Sequence, residues 1–196
     1  MGLKQITAPA IEPITLADIK TRVNMDEDIT EKDADIELLL IPAARAQAES
    51  RTGRAMMTQT LQLTLFCFPY GAISLPKPQL QSVDWIKYLD VDGVQQTLAT
   101  SDYLVINDEL YGYVVPAYGK SWPVARYQAN SITIQYIAGY GDAPEQVPAD
   151  LRLWMMMAVA TWLNNPEALI TGITVAELPR DFCQALLDGH IVNWGV

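Results

Sequence analysis

Residues 43–65 read AARAQAESRTGRAMMTQTLQLTL, and the change of period inside this stretch decides the fold. Up to Thr52 the residues follow a helical repeat. Gly53 is a natural stop, because only a residue without Cβ takes the left-handed cap conformation at little cost. From Thr58 the period falls to two: Gln59, Leu61, Leu63 and Leu65 alternate with Thr60, Gln62 and Thr64. That alternation is the mark of a half-buried strand. A helical segment therefore gives way to a β-rich one.

Upstream, the helix is predicted from near Glu31 to Thr52, with Ile36, Leu39, Leu40, Ala43, Gln47 and Ser50 stepping round it. Pro42 lies inside it and removes a hydrogen bond, so a bend is expected there. The acidic run before it (DEDITEKDAD, residues 26–35) lacks the glycine and ligand order of a calcium loop. It reads as the solvated start of the helix, where anions favour the positive dipole end. Thr15 and Asp18 have capping-box spacing and predict a short helix with Leu16, Ile19 and Val23 on one face. Met1–Pro13 shows no helical period and reads as an extended arm.

Downstream, Val83–Asp90 and Val94–Leu98 flank Asp92-Gly93, a strong hairpin signal. Tyr103–Ile106 and Tyr113–Val115 are short strands. Ser131–Ala138 is a longer one, with Ile132, Ile134, Tyr136 and Ala138 on one side. Helix returns at Pro148-Ala149-Asp150. Leu151–Leu163 is apolar nearly all round, so it is expected to be buried on most faces. Asn164-Asn165-Pro166 ends it, residues 167–178 read as a loop or short turn, and Pro179 opens a last helix that stops near Gly189. The fold class is α+β: a helical frame from the N- and C-terminal segments with a β-rich antiparallel insert. The expected division is residues 1–57 and 139–196 for the discontinuous helical domain and 58–138 for the insert.

Composition narrows the function. With 196 residues, half of them hydrophobic, the chain is long enough to bury a core without metal or disulfide. Thirteen basic and 23 acidic residues leave a formal charge of −10, which opposes a phosphate grip. It does not exclude a surface that nucleic acid slides past, since a negative wall repels phosphate. Cys67 and Cys183 each sit among apolar neighbours and read as two reduced, buried thiols. The first 15 residues do not resemble a signal peptide, and no apolar run approaches the roughly 20 residues of a membrane span. The expectation is a chain kept in a reducing cytoplasm, with no membrane association.

Catalytic groupings are not found. His190 stands alone near the C-terminus and reads as surface. Gly139-Tyr140-Gly141-Asp142 lacks the third glycine and the following helix of a dinucleotide loop, and reads as a turn. Asp102, Asp108, Glu109 and Asp142 offer carboxylates for glycosidic chemistry, but loop carboxylates are common. We expect no enzyme, no catalytic or metal residues and no cofactor. Trp85, Tyr88, Tyr103, Tyr111, Tyr113, Tyr118, Trp122 and Tyr127 leave open a non-catalytic carbohydrate- or peptide-binding module, although strands and interfaces are rich in aromatics in any case. The candidate subunit interface is Trp154, Met155, Met156 and Trp162 on the apolar helix, with Ile191, Val192 and Trp194 in the tail.

Several ordered stretches resemble the head–tail connector (adaptor) proteins of long-tailed phages and gene transfer agents. They are ITLADIK (14–20), AARAQAESRTGR (43–54), TQTL (58–61), LPKPQLQSV (75–83), the Asp92-Gly93 hairpin, VPAYGKSWP (115–123), AGYG (138–141) and ELP (177–179). No single stretch is diagnostic; the specificity of the resemblance comes from their order along nearly the whole chain. The resemblance implies a ring of twelve subunits in the virion neck, built in the host cytoplasm between the portal and the stopper or tail-completion protein. DNA would pass through the centre without sequence-specific binding. The chain departs from the family pattern at Pro42, where alanine is usual, and at Asp188-Gly189-His190, which replaces a more basic ending.

Overall fold

A computed structural model describes residues 1–108, 110–165 and 180–192 of the chain. The fold is α+β and divides into two compact units. Residues 1–10 and 58–140 form a β unit; residues 11–57, 141–165 and 180–192 form a helical unit.

The β unit holds two antiparallel sheets. The larger, in the order β1-β2-β8-β4-β5, comprises β1 (Gly2–Thr7), β2 (Gln59–Leu65), β4 (Leu80–Leu89), β5 (Gln95–Thr97) and β8 (Ile132–Ala138). The smaller, β3-β7-β6, comprises β3 (Ile73–Leu75), β6 (Tyr103–Asn107) and β7 (Gly112–Pro116). The period-2 reading holds in detail. Gln59, Leu61 and Leu63 are buried on β2, and Ile132, Ile134, Tyr136 and Ala138 on β8, while the residues between them are half-buried. The Asp92-Gly93 turn joins β4 to β5. Asp90 secures it by accepting from Gln96 Nε2 (2.9 Å), Val94 N–H (2.9 Å) and Asp92 N–H (3.1 Å). These bonds, that of Gln96 first, hold its carboxyl below the usual range.

Gly112 lets the two sheets approach. A Cβ there would stand 2.8 Å from the Cβ of Leu80, inside any real contact distance. Behind it the buried Tyr136 donates its hydroxyl to the Pro76 carbonyl at 2.7 Å, and burial pushes its phenol pKa up.

The N-terminal segment corrects the first expectation. Residues 1–10 are not an arm of the helical part: Gly2–Thr7 pairs antiparallel with β2, which β8 leaves open on that side. Every residue of β1 is exposed, so no apolar alternation marks it as a strand. The unpredicted β3 was hidden among prolines and is only three residues long.

The helical unit contains α1 (Leu16–Arg22), α2 (Asp33–Asp35), a π-helical turn (Ile36–Leu40), α3 (Ile41–Thr52), α4 (Ala149–Asn164) and α5 (Arg180–Asp188). The capping box on α1 is complete. Thr15 Oγ1 accepts from the Asp18 N–H at 3.2 Å, and Asp18 Oδ2 accepts from the Thr15 N–H at 2.9 Å. α4 packs against α1, α3 and α5.

Pro42 is accommodated by the wide turn just before it. The i→i+5 geometry of a π turn adds a residue and relieves the conflict between a proline ring and the preceding turn. The chain stays helical from Asp33 to Thr52. The same insertion shifts the buried face. Ile36, Ile41, Ala44, Ala48 and Thr52 are buried, whereas the expected Leu39, Ala43 and Ser50 are exposed.

The acidic run is also more than a solvated helix start. The ammonium of Lys20, itself buried, binds the carbonyls of Glu27 (3.1 Å) and Ile29 (2.8 Å) and the Asp33 carboxylate (2.9 Å). The segment before α2 is thereby folded onto α1. Cys67 is exposed, not buried, because it falls where β2 has already ended. The side chain of Cys183 and residues 167–178, read above as a loop, lie outside the described residues.

Candidate assembly surfaces

The buried polar groups of the helical unit converge on the end of α3. Arg45 Nε reaches Glu12 Oε2 at 2.7 Å, and Arg45 Nη1 lies 3.5 Å from Glu49 Oε1, which also accepts from the Met56 N–H at 3.2 Å. Burial works against the Arg45 charge, but the two carboxylates more than offset it and raise its pKa. Gly53 ends α3 with φ of 71°, a left-handed cap. Beyond it, the buried Arg54 donates Nε to the His190 carbonyl at 2.7 Å, and the Val192 N–H donates to the Thr52 carbonyl at 2.8 Å. His190 Nε2 lies 2.7 Å from Asp150 Oδ2 at the start of α4. Partial burial pushes the Asp150 carboxyl up, but the bond and charge of His190, with the Leu151 N–H, bring it below the usual range.

His190 is therefore not a free surface residue. It is half-buried and fixes the chain after α5 against both α3 and α4. The stretch AARAQAESRTGR owes its polar residues to this network: Arg45, Glu49, Thr52 and Arg54 all bond within it. Read locally, Thr52-Gly53-Arg54 stops the helix and turns the chain into the first strand. A partner 136 positions away in sequence leaves no local signal.

This packing redistributes the candidate interface residues. Met155 is fully buried, and Trp154 is 6% exposed with the Arg51 guanidinium over its ring at 5.4 Å. Val192 is likewise buried. These three are committed to the core of the helical unit and have little side chain left for a partner. Met156 and Trp162 are half-buried, and Ile191 is exposed. Trp194 lies outside the described residues. α4 is thus buried along Leu151, Trp154, Met155 and Val159 only, against the expectation of burial on most faces. Its remaining apolar side chains from Leu153 onward are half-covered.

Sequence reasoning missed the more exposed apolar residues. Leu38 and Leu39 project from the π turn at 78% and 63% exposure, because the extra residue rotates them off the buried face. In the β unit, Leu104, Val105 and Ile106 are all exposed on β6, an edge strand. The aromatic residues of the β unit do not gather on one platform. Phe68 stacks on Trp122 at 5.1 Å and meets Tyr88 edge-on at 5.7 Å, while Lys87 covers Trp85 at 4.3 Å. Tyr103 is buried, and Tyr70, Tyr118 and Tyr127 point singly into solvent.

A cleft of about 440 Å³ is lined by Leu16, Lys20, Thr21, Met25, Asp26 and Glu27, but the Lys20 ammonium is spent on Glu27, Ile29 and Asp33. Among the described residues no three His, Cys, Asp or Glu side chains come together as a metal site, and no helix is long and apolar enough to cross a membrane. Asp102 is paired with Lys120 at 3.1 Å, and Glu109 lies outside the described residues.

No protein-family model matches the sequence, and no curated protein matches it. Solved structures do. The fold is shared with a chain of the gene transfer agent neck. A chain in the neck of an empty gene transfer agent particle, computed with C6 symmetry, superposes with a TM-score of 0.81 at 20% identity, over 100% of this chain and 98% of that one. A chain of the native gene transfer agent virion gives 0.80, and one in the native neck computed with C12 symmetry gives 0.77, both at 20% identity and the same coverage. The likeness takes in almost the whole of each chain, so it extends to the helical and β units alike.

Proposed function

We propose that this chain is a structural head–tail connector (adaptor) subunit of a phage or prophage neck. On this reading it assembles as a ring, of twelve copies in the particle, between the portal and the stopper or tail-completion protein. It carries no catalysis of its own. The observation that carries the reading is the full-length fold likeness to a gene transfer agent neck chain, at a TM-score of 0.81 with 100% and 98% coverage. Symmetry supports the ring: two of the similar chains belong to necks computed with C6 and C12 symmetry. Exposed apolar residues on both units, Leu38 and Leu39 on one and Leu104–Ile106 on the other, suit a protein that is finished only by contact with others.

The charge of −10 fits a ring through which DNA moves, since a net negative wall gives phosphates nothing to hold. The carbohydrate- or peptide-module reading is the weaker one, because Trp122 and Tyr88 are each engaged by Phe68, the first stacked and the second edge-on, and do not form an open platform. Deleting the gene tests the proposal. Filled heads that leak DNA or fail to join tails are expected, and a normal yield of infectious particles would overturn it.

A further inference from the structure

We infer that neighbouring copies of this chain join through their β units, the free edge of β6 in one copy adding to the free edge of β1 in the next. The inference rests on the ring reading above and specifies its contact.

Each sheet ends in two edges. β5 is a three-residue polar strand, and β3 is three residues long with both its isoleucine and its leucine buried. Short edges of this kind are poor templates for pairing. β1 and β6 are different: they are six and five residues long, and among the described residues each is hydrogen-bonded to a strand on one side only. β6 carries three consecutive apolar residues, Leu104, Val105 and Ile106, with 54%, 42% and 46% exposure and no proline, lysine or bulge to blunt it. An edge so exposed is the feature that folded proteins usually protect, unless it is used.

The ladder fixes which groups of β6 are available. The Asp108 N–H bonds the Tyr111 carbonyl at 2.8 Å, in register with the β6–β7 pairing. Antiparallel alternation then places Ile106 and Leu104 in bonding pairs with β7, and turns the N–H and C=O of Val105 and Asn107 outward. Pro116, opposite Tyr103, has no N–H and agrees with that phase.

Charge selects the partner edge. Residues 102–112, DYLVINDELYG, contain three carboxylates, of which Asp102 is held by Lys120, and no basic residue. Residues 1–11, MGLKQITAPAI, contain Lys4 and no carboxylate. Pairing β6 with another β6 would oppose acid to acid, and pairing β1 with β1 would oppose lysine to lysine. The mixed pair avoids both and sets the acidic flanks of β6 near a basic strand. A contact between two different edges is also what a closed ring of more than two copies requires, since a self-complementary patch yields a dimer. The result is an intermolecular sheet of β3-β7-β6 continued by β1-β2-β8-β4-β5 of the neighbour.

The test uses full-length protein added to heads purified from a strain lacking the gene, with incorporation read by immunoblot and electron microscopy. Val105→Pro removes an outward N–H without breaking a bond to β7, and Val105→Lys brings a second cation to the edge contact that already holds Lys4. Each should reduce incorporation at least tenfold with an unchanged circular dichroism spectrum, and Lys4→Glu combined with Val105→Lys should restore it. If Val105→Lys, folded, forms rings as well as the wild type does, the edge-to-edge contact is wrong and the ring reading stands. If the wild-type chain never enters the heads, the ring reading fails and this contact with it.

Discussion

Replacing Met155 by alanine separates a core residue from an interface residue on the same helix. Met155 lies midway along α4 and is fully buried within the helical unit of a single chain. The substitution removes three heavy atoms from a packed site. At about 0.8 kcal/mol per buried methylene-sized group, the transfer loss is roughly 2.4 kcal/mol. The cavity adds to this, and Met→Ala costs in cores run from about 2 to 5 kcal/mol. We therefore expect about 3 kcal/mol, a large part of the roughly 5–15 kcal/mol that holds a typical domain. With a urea slope of about 2 kcal/mol/M, the unfolding midpoint should fall by about 1.5 M. The assay is urea denaturation of the isolated chain followed by far-UV circular dichroism, at a concentration where it is monomeric. A variant with an unchanged midpoint that nevertheless fails to assemble would refute the reasoning, since Met155 would then be held by a partner and not by α1, α3 and α5.

Asp150→Asn should weaken the attachment of the chain after α5. Because the folded-state carboxyl titrates below its unfolded value, its stabilisation is present above about pH 4 and is lost as pH falls through the folded pKa. The stability difference between wild type and Asp150→Asn, measured by urea unfolding, should accordingly shrink as the pH falls from about 4 through the folded pKa, and a gap that persists at the acid end contradicts a stabilising carboxylate at this position. Gly112→Ala places a Cβ 2.8 Å from that of Leu80 and should cost about 1–3 kcal/mol by forcing the sheets apart. A thermal melt checks it, and an unchanged melting temperature would mean that the sheets are not pressed together there.

What could be read from the sequence was what is local and periodic. The alternation over Ser131–Ala138 matched the buried face of β8 because that strand covers the core on one side. The Thr15–Asp18 box and the Asp92-Gly93 turn are each set by side chains three or four positions apart, so they too were legible. The buried face of α3 was not. A π turn inserts one residue without a distinctive motif, and every position after it is displaced from a regular 3.6 repeat. β1 escaped notice because an exposed edge strand needs no apolar alternation. The bonds Arg54–His190 and Lys20–Asp33 join residues whose partners only the fold brings near. Composition marked α4 as apolar, but which of Trp154, Met155, Met156 and Trp162 faces inward depends on where α1, α3 and α5 lie.

The central claim is that this chain builds a ring in the neck. Electron microscopy of the neck in particles that carry the gene, reconstructed without imposed symmetry, tests it most directly. The account predicts a closed ring of this fold between portal and stopper, twelve copies surrounding the DNA. A neck whose density is fully accounted for by other proteins, with this chain elsewhere or absent, would contradict it.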